Sequence, residues 1–325
     1  MQATTTTILR SAWRLLLGAA LLLLAGCASL IPQTVDLRTD WPAGVPRQVE
    51  LTQVPFYPQE DYQCGPAALA MAMDYGGARL TPEALVDEVW LPARHGSLQL
   101  EMLAAPRRHG LASYRLAPRY ADLLREVAAG HPVIVLQDVG MLLPEWHYAV
   151  VNGFDYGTGT IFLRSGLNVR QEMPFSYFER TWLAGGYWAM VVTRPDDIPA
   201  TATEDSWLES LLGLARGGNV DATITGYRGA LARWPDSLPA AVGLANHLHA
   251  RGSLAEATTV LRTALQRHPQ SVILLNNLAQ TLSDEGRNGE ALAVIQKADD
   301  PQSPFASEVR ATRQMIEDRL RTKGS

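Results

Sequence analysis

The second half of the chain repeats itself with a single period. Pro235 recurs as Pro269, Leu244 as Leu278, Leu248 as Leu282, Gly252 as Gly286, Glu256 as Glu290 and Ala257 as Ala291, each pair 34 residues apart. A fixed period of this length restricts the fold more than composition does, because each copy is one supersecondary unit whose apolar face only its neighbour can cover. Small residues at the helix crossings and a proline where each copy closes predict helix pairs stacked into a solenoid. An earlier, weaker copy aligns Leu214, Gly218, Tyr227 and Ala230 with Leu248, Gly252, Leu261 and Ala264, and a polar last helix from Ser307 to Arg321 suits a cap on the open end. Residues 206–325 are therefore predicted to be all-α, with one degenerate repeat, two full repeats and a capping helix.

A 34-residue period with this placement of Ala, Gly and Pro resembles the tetratricopeptide repeat, which implies a surface for a protein partner. Upstream, the periodicity stops in "TRPDDIPATATEDS", Thr193 to Ser206, where prolines, acids and small residues interrupt it, so residues 195–205 read as a flexible linker. The preceding stretch, residues 47–194, mixes elements. Helices are predicted from Cys64 to Gly76-Gly77, from Thr81-Pro82 onward, and from Ser97 to His109 with Gly110 as its stop. Strand-like runs follow at Val133 to Asp138, His147 to Phe154, Thr160 to Ser165 and Tyr187 to Val192, the middle two joined by the short link Asp155 to Gly159. Helices first and strands later predict an α+β domain with an antiparallel sheet.

The N-terminus bears on the compartment. Arg10 and Arg14 form a basic lead, "LLLGAALLLL" is an apolar run short for a bilayer span, and "LAGC" closes it at Cys27. The combination resembles the lipobox of bacterial lipoproteins. That implies a signal peptide over residues 1–26, cleavage before Cys27, and acyl chains on the thiol and amine of Cys27. Residues 27–46 then read as a lipidated tether, and Ala28 in place of aspartate favours the outer membrane, facing the periplasm. The net charge of -5, which loss of Arg10 and Arg14 takes to -7, argues against a nucleic-acid partner, and no basic run opposes it.

With Cys27 acylated, the second of the two cysteines, Cys64, has no intramolecular partner. It stands in "QEDYQCGPAALAMAM", where Pro66 suits a first helical position and the unpaired N–H groups of a helix mouth favour a thiolate. Gly65 leaves room for a substrate backbone. A nucleophile needs a base, and the first domain offers His95, His109, His131 and His147. His109 follows two arginines at a helix end, His131 precedes a proline and His95 lies in a Pro/Gly loop, whereas His147 opens a strand and can project toward the helix. Trp146, Trp182 and Trp188 are assigned to core and cleft walls, and Met71, Met73 and Met102 to the core. No HExxH or CxxC spacing is present, so neither metal nor cofactor is expected.

"VPFYPQEDYQCGPAAL", then "HPVIVLQD", then "HYAVVNGFDYGTGTIFLRSG" resembles the papain-like double-glycine-leader peptidase family, known for trimming bacteriocin precursors, and its secreted relatives. The resemblance covers nearly all of residues 47–194. It implies Cys64 as nucleophile, His147 as general base, and Gln59 as the side-chain amide that completes an oxyanion hole with the Cys64 N–H; Gln63 is the alternative, because the family's spacing is often one residue longer than that of Gln59. It also implies thiolate attack on a peptide carbonyl, with an ion pair between Cys64 and His147 that makes the thiol fast to alkylate near neutral pH.

One position departs from the family. Where Asp-Pro usually follows the next strand, this chain has Ser165-Gly166. Ser165 offers a weaker hydrogen bond to the imidazole, Asn168 is an alternative orienter from the loop, and Asp155 lies across the hairpin. The expectation is an envelope cysteine peptidase with a peptide or protein substrate. A catalytically silent peptide-binding scaffold and a thiol-dependent acyl transferase are the alternatives.

Overall fold

The structure, a computed structural model, describes residues 31–59, 63–94, 96–298 and 300–323. The signal stretch, Cys27 and His95 lie outside the described residues. In chain order the elements are α1 (Pro32–Thr39), β1 (Gln48–Glu50), α2 (Cys64–Tyr75), α3 (Pro82–Val89), the small hairpin β2 (Trp90–Leu91) and β3 (Gly96–Ser97), α4 (Gln99–Arg108) and β4 (Ala112–Arg115). Next come α5 (Tyr120–Ala128), β5 (Val133–Asp138), β6 (Trp146–Asp155), β7 (Thr160–Ser165), β8 (Asn168–Pro174), α6 (Phe175–Ala184) and β9 (Ala189–Thr193). The chain divides into two compact units, one holding residues 31–75, Arg79–Gln99 and Arg115–Val191, the other Gly76–Ala78, Leu100–Tyr114 and the chain from Val192 onward.

In the first unit, β9, β5, β6, β7 and β8 lie side by side in that order, each pair antiparallel, and β1 continues the β5 side of β6. The register places Gln137 opposite His147 and Arg164 opposite Val150, so the start of β6, the end of β7 and the end of β5 share one end of the sheet. Helix α2 lies against β6 on one side and α3 on another. Every residue from Ala67 to Met73 is at most 1% exposed, which accounts for a helix apolar all round rather than on one stripe. Gly153 sits at a bulge where a Cβ would come within 2.6 Å of the Val49 carbonyl, so the close approach of β1 requires glycine there.

The expected helices and strands appear with shifted ends. Helix α2 begins at Cys64 itself, with Gln63 O accepting from Ala67 N, so Pro66 is its third residue and the thiol belongs to the first turn instead of preceding it. The last strand starts at Ala189 because Gly186 and Tyr187 occupy the left-handed region, with φ +66 and +54. Trp182 and Trp188 are buried, as are Met71 and Met73, but Trp146 is 55% exposed and is not a core residue.

The tether reading of residues 27–46 also needs correction. Within it Pro32–Thr39 form α1, and α1 is docked: the amides of Gln33 and Thr34 donate to the two oxygens of Glu179, at 2.9 and 2.6 Å, and the Tyr187 hydroxyl donates to the same carboxylate at 3.0 Å. Glu179 is fully buried on α6 and caps the positive end of α1 from outside that helix. The sequence pattern could not show this cap because its carboxylate comes from about 145 positions away. Glu179→Ala, which strands three donors, should cost about 3 kcal/mol in denaturant unfolding and expose the α1 segment to protease, with Glu179→Gln losing less.

In the second unit three helix pairs follow: α7 (Glu204–Arg216) with α8 (Val220–Arg233), α9 (Leu238–Ala250) with α10 (Leu254–Arg267), and α11 (Val272–Asp284) with α12 (Asn288–Ile295), closed by α13 (Ala306–Lys323). The copy that is degenerate in sequence is complete in structure. Thr203, Ser237 and Ser271 each cap a first helix with the side-chain oxygen, and Gly218, Gly252 and Gly286 each turn the chain at φ near +82 (83, 82 and 81) between the two helices. Asp284 ties the stack, accepting from His249 of α9 and Arg319 of α13 at 2.8 and 2.6 Å. The expected flexible linker is packed instead: Pro199 and Ala202 are buried, and Arg233 of α8 donates to the Pro199 carbonyl. Leu100–Tyr114 joins this unit through Ser113, whose carbonyl accepts from Ser210 and whose hydroxyl accepts from Arg107.

Candidate active site

Folding brings Cys64 against Tyr148, the neighbour of His147; His147 against Ser165; and Gln59 against Gly166, the neighbour of Ser165. Cys64, half-buried at the head of α2, presents its sulfur to backbone amides of Tyr148, Gly65 and Cys64 itself. Tyr148 is the neighbour of His147 on β6, so the thiol lies beside the strand position that carries the imidazole. His147 Nε2 is 2.9 Å from Ser165 Oγ. With the proton on Nε2 the ring donates to Ser165, and Nδ1 keeps the lone pair that a base needs.

The glutamines separate clearly. Gln59 is 7% exposed, its backbone N–H donates to the Gly166 carbonyl at 3.1 Å, and its Oε1 accepts from the Gly166 amide at 3.3 Å. This clasp holds the amide oxygen and leaves Nε2 buried with no hydrogen-bond partner among the described residues. A buried donor without an acceptor is costly unless an acceptor arrives with the substrate. Gln63 is exposed and serves through its backbone carbonyl, as the start of α2.

The orienting candidates separate as well. Asn168 stands exposed at the start of β8, and Ser165 makes the contact to the imidazole. Asp155 is at the far end of β6, eight residues from His147 and so about 27 Å along the strand; its carboxylate accepts from Gly157 and Thr158 in the hairpin turn. Gly166 has φ +57, a value closed to proline, so the β7–β8 turn itself excludes the Asp-Pro pair of the resembled family. Of the other histidines, His131 is buried with Nδ1 2.7 Å from Glu126.

Electrostatics departs from the sequence expectation. Burial pushes the Cys64 thiol up, and the amides of Tyr148, Gly65 and Cys64 pull it down by less. Burial likewise pushes His147 below the usual imidazole range. Both changes disfavour charge, so burial works against the ion pair that the sequence led us to expect. Tyr148 was given no role by sequence reasoning, although it follows His147 directly in the motif. Its hydroxyl donates to the Ser97 carbonyl at 3.2 Å, and burial together with the nearby Cys64 pushes its own titration upward.

With this geometry described, comparison with known proteins is informative. Residues 51–190 match the model of the Peptidase_C39 like family, and residues 248–316 match a tetratricopeptide repeat model. The chain carries a peptidase C39-like domain and C-terminal tetratricopeptide repeats. The C39-like domain is α+β with an antiparallel sheet and the repeat region is helical, as the sequence pattern indicates. One solved structure, titled as a candidate C39-like peptidase from Bacillus anthracis, is similar at 18% identity and a TM-score of 0.39, covering 46% of this chain and 98% of that one. No curated protein matches the chain.

Proposed function

We propose that the C39-like domain is a cysteine peptidase held at a membrane by acylated Cys27, in a bacterial cell envelope and on the periplasmic face of the outer membrane. The observation that carries the catalytic reading is the placement of Cys64 beside Tyr148, of His147 on Ser165, and of a buried Gln59 amide that has no partner among the described residues. In the reaction, His147 takes the thiol proton as sulfur attacks the peptide carbonyl, starting from the uncharged pair that burial of both groups favours. Gln59 Nε2 and the Cys64 N–H receive the oxyanion, and imidazolium returns the proton to the leaving amine. Water then releases the acyl group from Cys64. The repeats suggest a protein–protein interaction, and we assign them the capture of a partner or substrate.

Mass spectrometry of envelope extracts from strains carrying wild type and Cys64→Ala tests the reading. New N-termini present only with the thiol support it; identical N-termini in both strains overturn it. Gln59→Ala should lower kcat roughly a hundredfold with little change in KM, since the amide acts on charge that exists only in the transition state. A binding-only reading draws on Ser165, which gives the imidazole a hydroxyl in place of a carboxylate. It predicts peptide capture unchanged in Cys64→Ala. An acyl transferase would yield a peptide joined to an added amine in place of a free carboxylate.

A further inference from the structure

The loop from β5 to β6, residues 139–145, carries the most exposed apolar side chains among the described residues. Met141 is 98%, Leu142 97% and Leu143 80% exposed, and Trp146 at the foot of the loop is 55% exposed. The loop has a built base. Asp138 Oδ1 accepts from the amides of Gly140 and Glu145, at 3.0 and 2.9 Å, and Val139 N donates to Glu145 O. A Cβ on Gly140 would lie 1.9 Å from the Leu143 carbonyl, so the tip folds tightly back on itself. No charged residue interrupts the chain between Asp138 and Glu145.

We infer that this tip inserts into the lipid surface and seats the candidate active site against the membrane. The inference rests on the reading of Cys27 as the lipid anchor. Two observations choose lipid over a protein occupant. First, the tip is convex: side chains exposed on all sides do not form the concave walls that hold a peptide, but suit insertion among headgroups, with a tryptophan at the interface. Second, the tether is short. Because Glu179 fixes the N-terminal amides of α1, only residues 28–31 separate Cys27 from the docked helix at Pro32, and five links span at most about 18 Å. An acylated Cys27 therefore keeps the first unit close to the bilayer. Trp146 immediately precedes His147, so insertion of the tip brings the site to the membrane surface, and the peptides it meets there are segments that emerge from the bilayer or carry lipid.

The test uses the full acylated chain in vesicles of phosphatidylethanolamine and phosphatidylglycerol. In a Cys64→Ala background, Leu142→Cys carries an environment-sensitive nitrobenzoxadiazole probe, and Thr158→Cys, exposed at the other end of β6, is the control. The expected result is a blue shift and protection from aqueous iodide for the probe at 142, with the probe at 158 remaining aqueous. Protein that floats with the vesicles while both probes stay aqueous overturns the insertion and leaves the anchor standing. Protein that does not float removes the anchor, and the insertion with it. Protection at 142 without lipid, in concentrated protein or on adding an apolar peptide, assigns the tip to a second copy or to a protein segment instead.

Discussion

Replacing His147 by alanine should lower kcat/KM for peptide cleavage by roughly a hundred- to ten-thousand-fold while leaving the iodoacetamide alkylation rate of Cys64 nearly unchanged. Cleavage needs the imidazole twice, to take the thiol proton and to return it to the amine. Alkylation needs only thiolate, and a neutral His147 does not stabilise one. An ion pair predicts the opposite for alkylation, which would then fall sharply in His147→Ala. The pH dependence follows from the same directions. The thiol is pushed up by burial, so alkylation is slow near neutral pH and rises as pH climbs through the raised value. The imidazole is pushed down, so cleavage persists as pH falls through the ordinary imidazole value of about 6.5 and is lost only below it, when His147 becomes protonated. A stopped assay of both rates across pH measures the separation; coincident profiles with a plateau on the acid side would establish the ion pair and sink the neutral one.

Ser165→Asp should accelerate alkylation at neutral pH by about tenfold or more. A carboxylate at Ser165 would face His147 Nε2, where the hydroxyl now sits at 2.9 Å, and an adjacent negative charge favours imidazolium. Imidazolium beside sulfur favours thiolate in turn, and each unit by which the thiol titration falls is close to a tenfold gain in thiolate while it remains the minor form. Ser165 is 7% exposed, so the new carboxylate pays desolvation and the variant should melt no higher than wild type. In Ser165→Asp, unlike wild type, removal of His147 should slow alkylation. Ser165→Ala should leave alkylation unchanged and reduce cleavage, because it frees the imidazole to adopt the wrong tautomer. Equal alkylation in Ser165→Asp and wild type would mean that the added carboxylate does not charge the pair. Keeping Gly166 is part of the design, since its left-handed backbone cannot accept the proline of the family pattern.

The repeat was legible because stacking requires it locally. Each copy must present its own small residues, cap and turn glycine at the same place, so Gly218, Gly252 and Gly286 declare themselves by spacing alone. The places of Cys64 and His147 in the fold were legible for a related reason: a helix mouth and a strand start are local features. The strands at Val133, His147 and Thr160 follow from apolar runs bounded by turns, and their pairing in the sheet agrees with that reading. Long-range contacts were not legible in this way. Glu179 holding α1, Ser210 holding Ser113, and Pro199 and Ala202 finding cover all depend on partners far along the chain, and no local pattern marks a carboxylate as a cap for a helix it does not belong to. The choice of Gln59 over Gln63 came from burial and the Gly166 clasp, which spacing does not report. The direction in which the pair's titrations shift was the hardest to foresee: a helix mouth favours thiolate, burial opposes it, and only packed neighbours set how much water each group loses. Local chemistry marked the candidate nucleophile and base, and desolvation, a property of the whole packed domain, set the direction in which their titrations move.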